Sequence, residues 1–68
     1  MLQIGKKLKE LRRSENLTQQ QLADKLKISR VNYTRYETNV VKPDYDTLLA
    51  IADFYKISLD ELFGRDNY

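Results

Sequence analysis

The chain has no histidine and no cysteine. It therefore has no side chain that titrates near neutral pH, no thiolate nucleophile, no disulfide and no thiolate metal site. The three serines, Ser14, Ser29 and Ser58, have no base in evidence, and the carboxylates are scattered over polar faces. An enzyme is the weakest of the functional classes, and no metal, cofactor or small-molecule ligand is expected. No apolar run approaches the length of a membrane span, and no signal peptide is visible. The chain is expected to be cytoplasmic. Its 68 residues make one domain, 1–68, near the lower limit for a self-sufficient core. Stability must come from compact packing of helices, with dimerisation as a further source.

Negative charge is scarce in one part of the chain. Residues 1–42 hold ten of the twelve basic residues and only four acids, a net of +6. Residues 43–68 hold two basic and six acidic residues, a net of −4. Such polarity suits a molecule with one face toward a polyanion. Helical surfaces are charged in any case, so asymmetry alone decides nothing.

The most informative stretch is Leu17 to Thr38, LTQQQLADKLKISRVNYTRYET. Thr18 is a good N-cap, and Gln21 completes a capping box with Leu17 and Leu22 as the hydrophobic staple. The device recurs at Ser29, with Ile28 before it and Tyr33 after. The spacing leaves two helical turns and a tight turn around Lys27. Two short helices joined this tightly make a helix-turn-helix. Leu22, Ala23 and Leu26 form the buried stripe of the first of the pair. Gln19 and Gln20 sit at its N-terminus, where free N–H groups and the helix dipole favour a phosphate. Gln20 reads better as an ordinary helix former.

In the next helix, Arg30 to about Thr38, Tyr33 and Tyr36 share one side. They read as core, with hydroxyls that must reach water or a partner. Arg30, Val31, Thr34, Arg35 and Thr38 occupy the other side, which has no acid. Arginine can bond bidentately to guanine in the major groove, and valine can meet a thymine methyl.

Around this pair the chain is helical. Ile4, Leu8 and Leu11 recur at helical spacing and predict a first helix from about Ile4 to Glu15. Lys6, Lys9 and Arg13 form its solvated side. Arg12 lies at the edge of the apolar face and needs an acidic partner. Asn16 ends the helix. Thr38 to Pro43 is a connector containing two exposed valines, Val40 and Val41. Asp44 caps a fourth helix with Leu48, Leu49, Ile51, Ala52 and Tyr55 apolar. Ser58 and Glu61 form a capping box for a short fifth helix, with Ile57 and Leu62 as its staple and Gly64 at its end. The sequence shows no strand signal, repeat, linker or low-complexity segment.

Order and spacing together resemble the Xre, or phage repressor and Cro, type of helix-turn-helix DNA-binding domain. The likeness covers roughly Ile4 to Phe63. It is carried by LTQQQLA at 17–23, ISRVNYTRYE at 28–37, KPDYDTLLAIADFY at 42–55 and ISLDELF at 57–63. It implies an all-α, five-helix, lambda-repressor-like domain with the helix-turn-helix formed by helices two and three. It implies a sequence-specific transcriptional regulator, in the first instance a repressor, that binds double-stranded DNA as a homodimer with the third helix in the major groove. Arg30, Val31 and Arg35, with Thr34 as a secondary candidate, fall where the family reads bases. Thr18, Gln19, Asn32, Thr38 and Lys42 fall at or near backbone-contacting positions. Glu37 matches the family's acidic partner for Arg12, so an Arg12–Glu37 ion pair is expected. Asn16, Lys27, Asn39 and Lys56 stand where the family favours glycine, and positive φ is expected at all four. Phe54, Phe63 and Tyr68 are candidate dimer-interface residues on the acidic side, with completion of the core as the alternative for Phe63. The alternative function is an antitoxin-like or other protein-interaction module with the same fold.

Overall fold

The computed structural model describes residues 4–64. Five helices follow one another: α1 (Gly5–Ser14), α2 (Gln19–Leu26), α3 (Arg30–Glu37), α4 (Tyr45–Tyr55) and α5 (Leu59–Leu62). The described residues contain no strand. None of the helices is long and apolar enough to cross a membrane.

Each helix after the first begins at an expected cap. The Thr18 hydroxyl accepts from the Gln21 N–H at 3.0 Å, and the Gln21 side chain accepts in return from the Thr18 N–H at 2.8 Å. Ser29 accepts from the Asn32 N–H at 3.1 Å, and Asp44 from the Thr47 N–H at 2.8 Å. Hydrogen bonding from the Thr47 side chain, and then from its N–H, holds the Asp44 carboxyl below its ordinary value. Ser58 accepts from the Glu61 N–H at 3.0 Å. Only this half of the expected Ser58–Glu61 box forms, so α5 has a simple cap.

Four helices end in the same way. Asn16, Lys27, Asn39 and Lys56 have φ of 57°, 61°, 62° and 58°. The next residue then donates its N–H back to a carbonyl five positions earlier. These bonds are Leu17 to Arg12 (3.1 Å), Ile28 to Ala23 (3.0 Å), Val40 to Arg35 (2.9 Å) and Ile57 to Ala52 (3.0 Å). This is the Schellman closure, which satisfies helix-end carbonyls at the cost of one left-handed residue. Asparagine bears that conformation easily, whereas each lysine costs roughly 1 kcal/mol for its Cβ.

The expectation of no repeat is corrected here. Leu22–Ser29 reads LADKLKIS and Ile51–Ser58 reads IADFYKIS. Both segments end a helix, turn through a left-handed lysine and cap the next helix with serine. The α2–α3 junction thus has a structural twin at α4–α5. The likeness lies in eight residues, too short a window for an element-by-element reading of the chain to register.

Two buried clusters make the core. Ile4, Leu8, Ile51 and Leu62 form one, and Leu22, Ala23 and Tyr33 the other. Leu26, Tyr36 and Tyr55 pack against both and join them. The N-terminus of α1 has no side-chain cap of its own. Its Gly5 N–H is bonded instead by the Asn39 side chain at 3.0 Å, from beyond the end of α3. The two backbones approach so closely that a Cβ on Gly5 would collide with the Glu37 carbonyl. This contact brings the end of α3 against the start of α1.

Candidate nucleic-acid interface

The two faces of α3 differ sharply. Tyr33 is fully buried and Tyr36 half-buried, on the side that meets α2 and the core. Arg30, Asn32, Arg35 and Thr38 are exposed, and Val31 is 53% exposed. Glu37 is the only acid on the helix, and it is turned inward, with 4% of its side chain exposed. The outer face therefore carries two guanidinium groups and no countercharge of its own.

Glu37 is the centre of a polar node beneath that face. Arg12 Nε donates to its Oε2 at 2.7 Å and Arg12 Nη2 to its Oε1 at 3.3 Å, and Arg12 Nη1 donates to the Leu17 carbonyl at 2.8 Å. The expected ion pair is present and fork-shaped, the geometry in which arginine binds carboxylate most specifically. Burial would raise the Glu37 carboxyl, but its hydrogen bonds, from Arg12 above all, outweigh burial and hold it below its ordinary value. The bond to Glu37 likewise raises the Arg12 guanidinium.

The node extends to α2. Gln19 Nε2 donates to Glu37 Oε1 at 3.1 Å, and the Thr34 hydroxyl donates to Gln19 Oε1 at 2.9 Å. One chain of bonds thus runs from α1 through the end of α3 to the first residue of α2 and back to the middle of α3. Next to it, the Tyr33 and Tyr55 hydroxyls are buried with no hydrogen-bond partner among the described residues. Burial pushes both phenols up, Tyr33 far above the usual range and Tyr55 to about 12.

Arg30, Val31 and Arg35 stand together on the open face. Thr34 shares the helix but is half-buried, with its hydroxyl proton committed to Gln19. Thr18 is exposed, and its oxygen caps α2. Gln19 is half-buried and keeps one Nε2 hydrogen unused. Gln20 bonds Asp24 one turn along its own helix at 2.9 Å, in keeping with an ordinary helix former. Asn32 is exposed. Thr38 is exposed, but its hydroxyl donates to the Thr34 carbonyl at 3.0 Å and the Arg35 carbonyl at 3.3 Å. That geometry turns its proton away from solvent. Lys42 is exposed in the loop after α3, beside Val40 and Val41, which are 67% and 40% exposed.

Phe54 and Phe63 are half-buried. Phe54 stands edge-on to Tyr55 and packs against the Leu22 cluster, and Phe63 packs against the Leu8 cluster. Both serve the core of this chain. Tyr68 lies outside the described residues.

Sequence reasoning missed Gly5, the cross-helix cap from Asn39 and the Thr34–Gln19 bond. One signal was available for Gly5. It opens a helix directly after apolar Ile4, where a capping side chain is the usual device.

Comparison with known proteins agrees with this geometry. The family profile described as Helix-turn-helix matches residues 8–62. The HTH-type transcriptional regulator ImmR of Bacillus subtilis is 42% identical over 65 residues, covering 96% of this chain and 51% of that protein. The cryptic phage CTXphi transcriptional repressor RstR of Vibrio cholerae is 41% identical over 64 residues, covering 94% of this chain and 57% of that protein. The chain thus spans about half the length of these relatives. Among solved structures, the P22 c2 repressor in complex with synthetic operator 9T superposes with a TM-score of 0.84 at 23% identity. That likeness covers 97% of this chain and all of the other, and it shows a shared fold.

Proposed function

The chain belongs to the Xre-type helix-turn-helix family, and from that premise we propose that it binds double-stranded DNA as a sequence-specific transcriptional regulator. The observation that carries this reading is the outer face of α3. Arg30, Val31 and Arg35 are open to solvent there, and the one acid of the helix is folded inward onto Arg12. A helix fits the major groove, and these side chains offer bidentate donors for guanine and an apolar contact for a thymine methyl. Gln19, Thr18, Asn32 and Lys42 then meet phosphates on either side and set the register. The relatives named as transcriptional regulators and the P22 repressor–operator complex support the assignment. We take the working form to be a homodimer on half-sites about 34 Å apart.

The test is binding of randomised duplex DNA, followed by fluorescence anisotropy over a salt series. Affinity should fall with log salt at a slope of about −0.9 per neutralised phosphate. A flat salt response, or equal binding to all sequences, would contradict the reading. A protein-interaction module draws on the exposed Val40 and Val41, and it predicts no duplex binding at moderate salt.

A further inference from the structure

We propose that Thr34 and Glu37 are positioning residues that fix the orientation of the Gln19 side-chain amide toward DNA, so that the reading helix itself sets the phosphate contact of α2. The proposal rests on the DNA-binding reading above and adds a role for the bonds beneath the interface.

An amide has two acceptor lone pairs on oxygen and two hydrogens on nitrogen, and the two ends are nearly the same shape. A surface glutamine can therefore turn over. Gln19 cannot do so without loss, because both ends are engaged. Its Oε1 accepts from the Thr34 hydroxyl at 2.9 Å, and its Nε2 donates to Glu37 Oε1 at 3.1 Å. Turning the amide over would place its oxygen against the Glu37 carboxylate and its NH2 against Thr34. The carboxylate is itself pinned by two Arg12 nitrogens and is almost fully buried. It cannot move aside or exchange its role for a donor's. One amide orientation survives, and it leaves a single Nε2 hydrogen for an outside acceptor. Phosphate oxygen is an acceptor of that kind, and Gln19 is the first residue of α2.

The same bonds constrain Thr34. Its hydroxyl proton points to Gln19, so toward DNA it offers only oxygen lone pairs and a methyl group. Its main effect on binding should then pass through Gln19 and be independent of base sequence.

Thr34→Val keeps the shape and removes the hydroxyl. With Gln19→Ala, the double variant and Thr34→Ser, it makes a closed set. In anisotropy against one selected duplex and several unrelated ones, Thr34→Val should weaken all of them by about threefold to tenfold, the worth of one hydrogen bond. It should cause no further loss in the Gln19→Ala background, and Thr34→Ser should restore binding. Additive losses, or a Thr34→Val effect confined to base preference at one position, would overturn the proposal. NMR of the free protein gives a second readout. The two Gln19 Nε2 protons should exchange at different rates, the one bonded to Glu37 slowly, and Thr34→Val should reduce the difference. Equal exchange of both at the rate of a free glutamine in the parent protein would also overturn it. Slow exchange in a protein that binds no duplex would instead overturn the DNA reading beneath the proposal.

Discussion

The junctions α2–α3 and α4–α5 use one local design for two ends. Each has an Ala-Asp pair in the last helical turn, then a left-handed lysine, an isoleucine and a serine cap. Lys27 and Lys56 differ in φ by only a few degrees, and the bonds that close the turns match within about 0.1 Å. The helices that the two turns lead into differ entirely. Ser29 opens eight residues with two arginines facing solvent, whereas Ser58 opens four residues, Leu59–Leu62, that include Asp60 and Glu61. The turn decides where a second helix goes, and the second helix decides what the unit does. Among the described residues, only α3 of the two is also tied to α1 by side-chain hydrogen bonds, through Arg12–Glu37 and through Gly5 and Asn39.

The largest expected effect breaks that tie. Glu37→Ala leaves the guanidinium of Arg12 in a site where 12% of its side chain is exposed. Loss of one partner of so buried a pair should cost about 3–5 kcal/mol in denaturant unfolding. The pair should also show in the pH dependence. Glu37 titrates lower in the fold than its ordinary value of 4.5, so its stabilisation is complete above that value. It is lost as pH falls through the lower, folded value. The acid limb of a stability–pH curve should flatten in Glu37→Gln.

Next in size is the contrast between the two second helices. Arg30→Ala and Arg35→Ala should each cost about 1–3 kcal/mol in DNA binding and relax preference at one base position. Alanine at Asp60 or Glu61 should leave base preference unchanged, as selection from a random library would read.

Smaller effects test the shared turn. Ser29→Ala and Ser58→Ala should each cost about 1 kcal/mol in unfolding free energy, the usual worth of an N-cap. Lys27→Gly and Lys56→Gly should each raise stability by less than about 1 kcal/mol, because relief of the left-handed Cβ is offset by the freer unfolded chain. The two glycine variants should agree in sign and size. Opposite signs would show that the turns are not equivalent.

Much of this was legible in the sequence. Thr18, Ser29, Asp44 and Ser58 announced helix starts because a cap is a local contract between neighbours. The four left-handed positions were legible for the same reason, although for Lys27 and Lys56 the resemblance to the family supplied the expectation. The open placement of Arg30, Val31 and Arg35 followed from Tyr33 and Tyr36 needing the core. The missing cap at Ile4 was the one hint of Gly5, whose role depends on the Glu37 carbonyl, 32 residues away in sequence. The Gln19–Thr34 bond was not legible, since a helical wheel shows one helix at a time. Phe54 and Phe63 stay candidates for a dimer surface while packing on their own core, because pattern alone does not distinguish an aromatic that closes its own core from one that meets a partner.

The central claim is that base reading resides on the outer face of α3. It is tested most directly by selecting duplexes from one random library with the parent protein, Arg30→Ala and Arg35→Ala. The account predicts a defined site for the parent and loss of preference at a different single position in each variant. Both variants selecting the full parental site would contradict it.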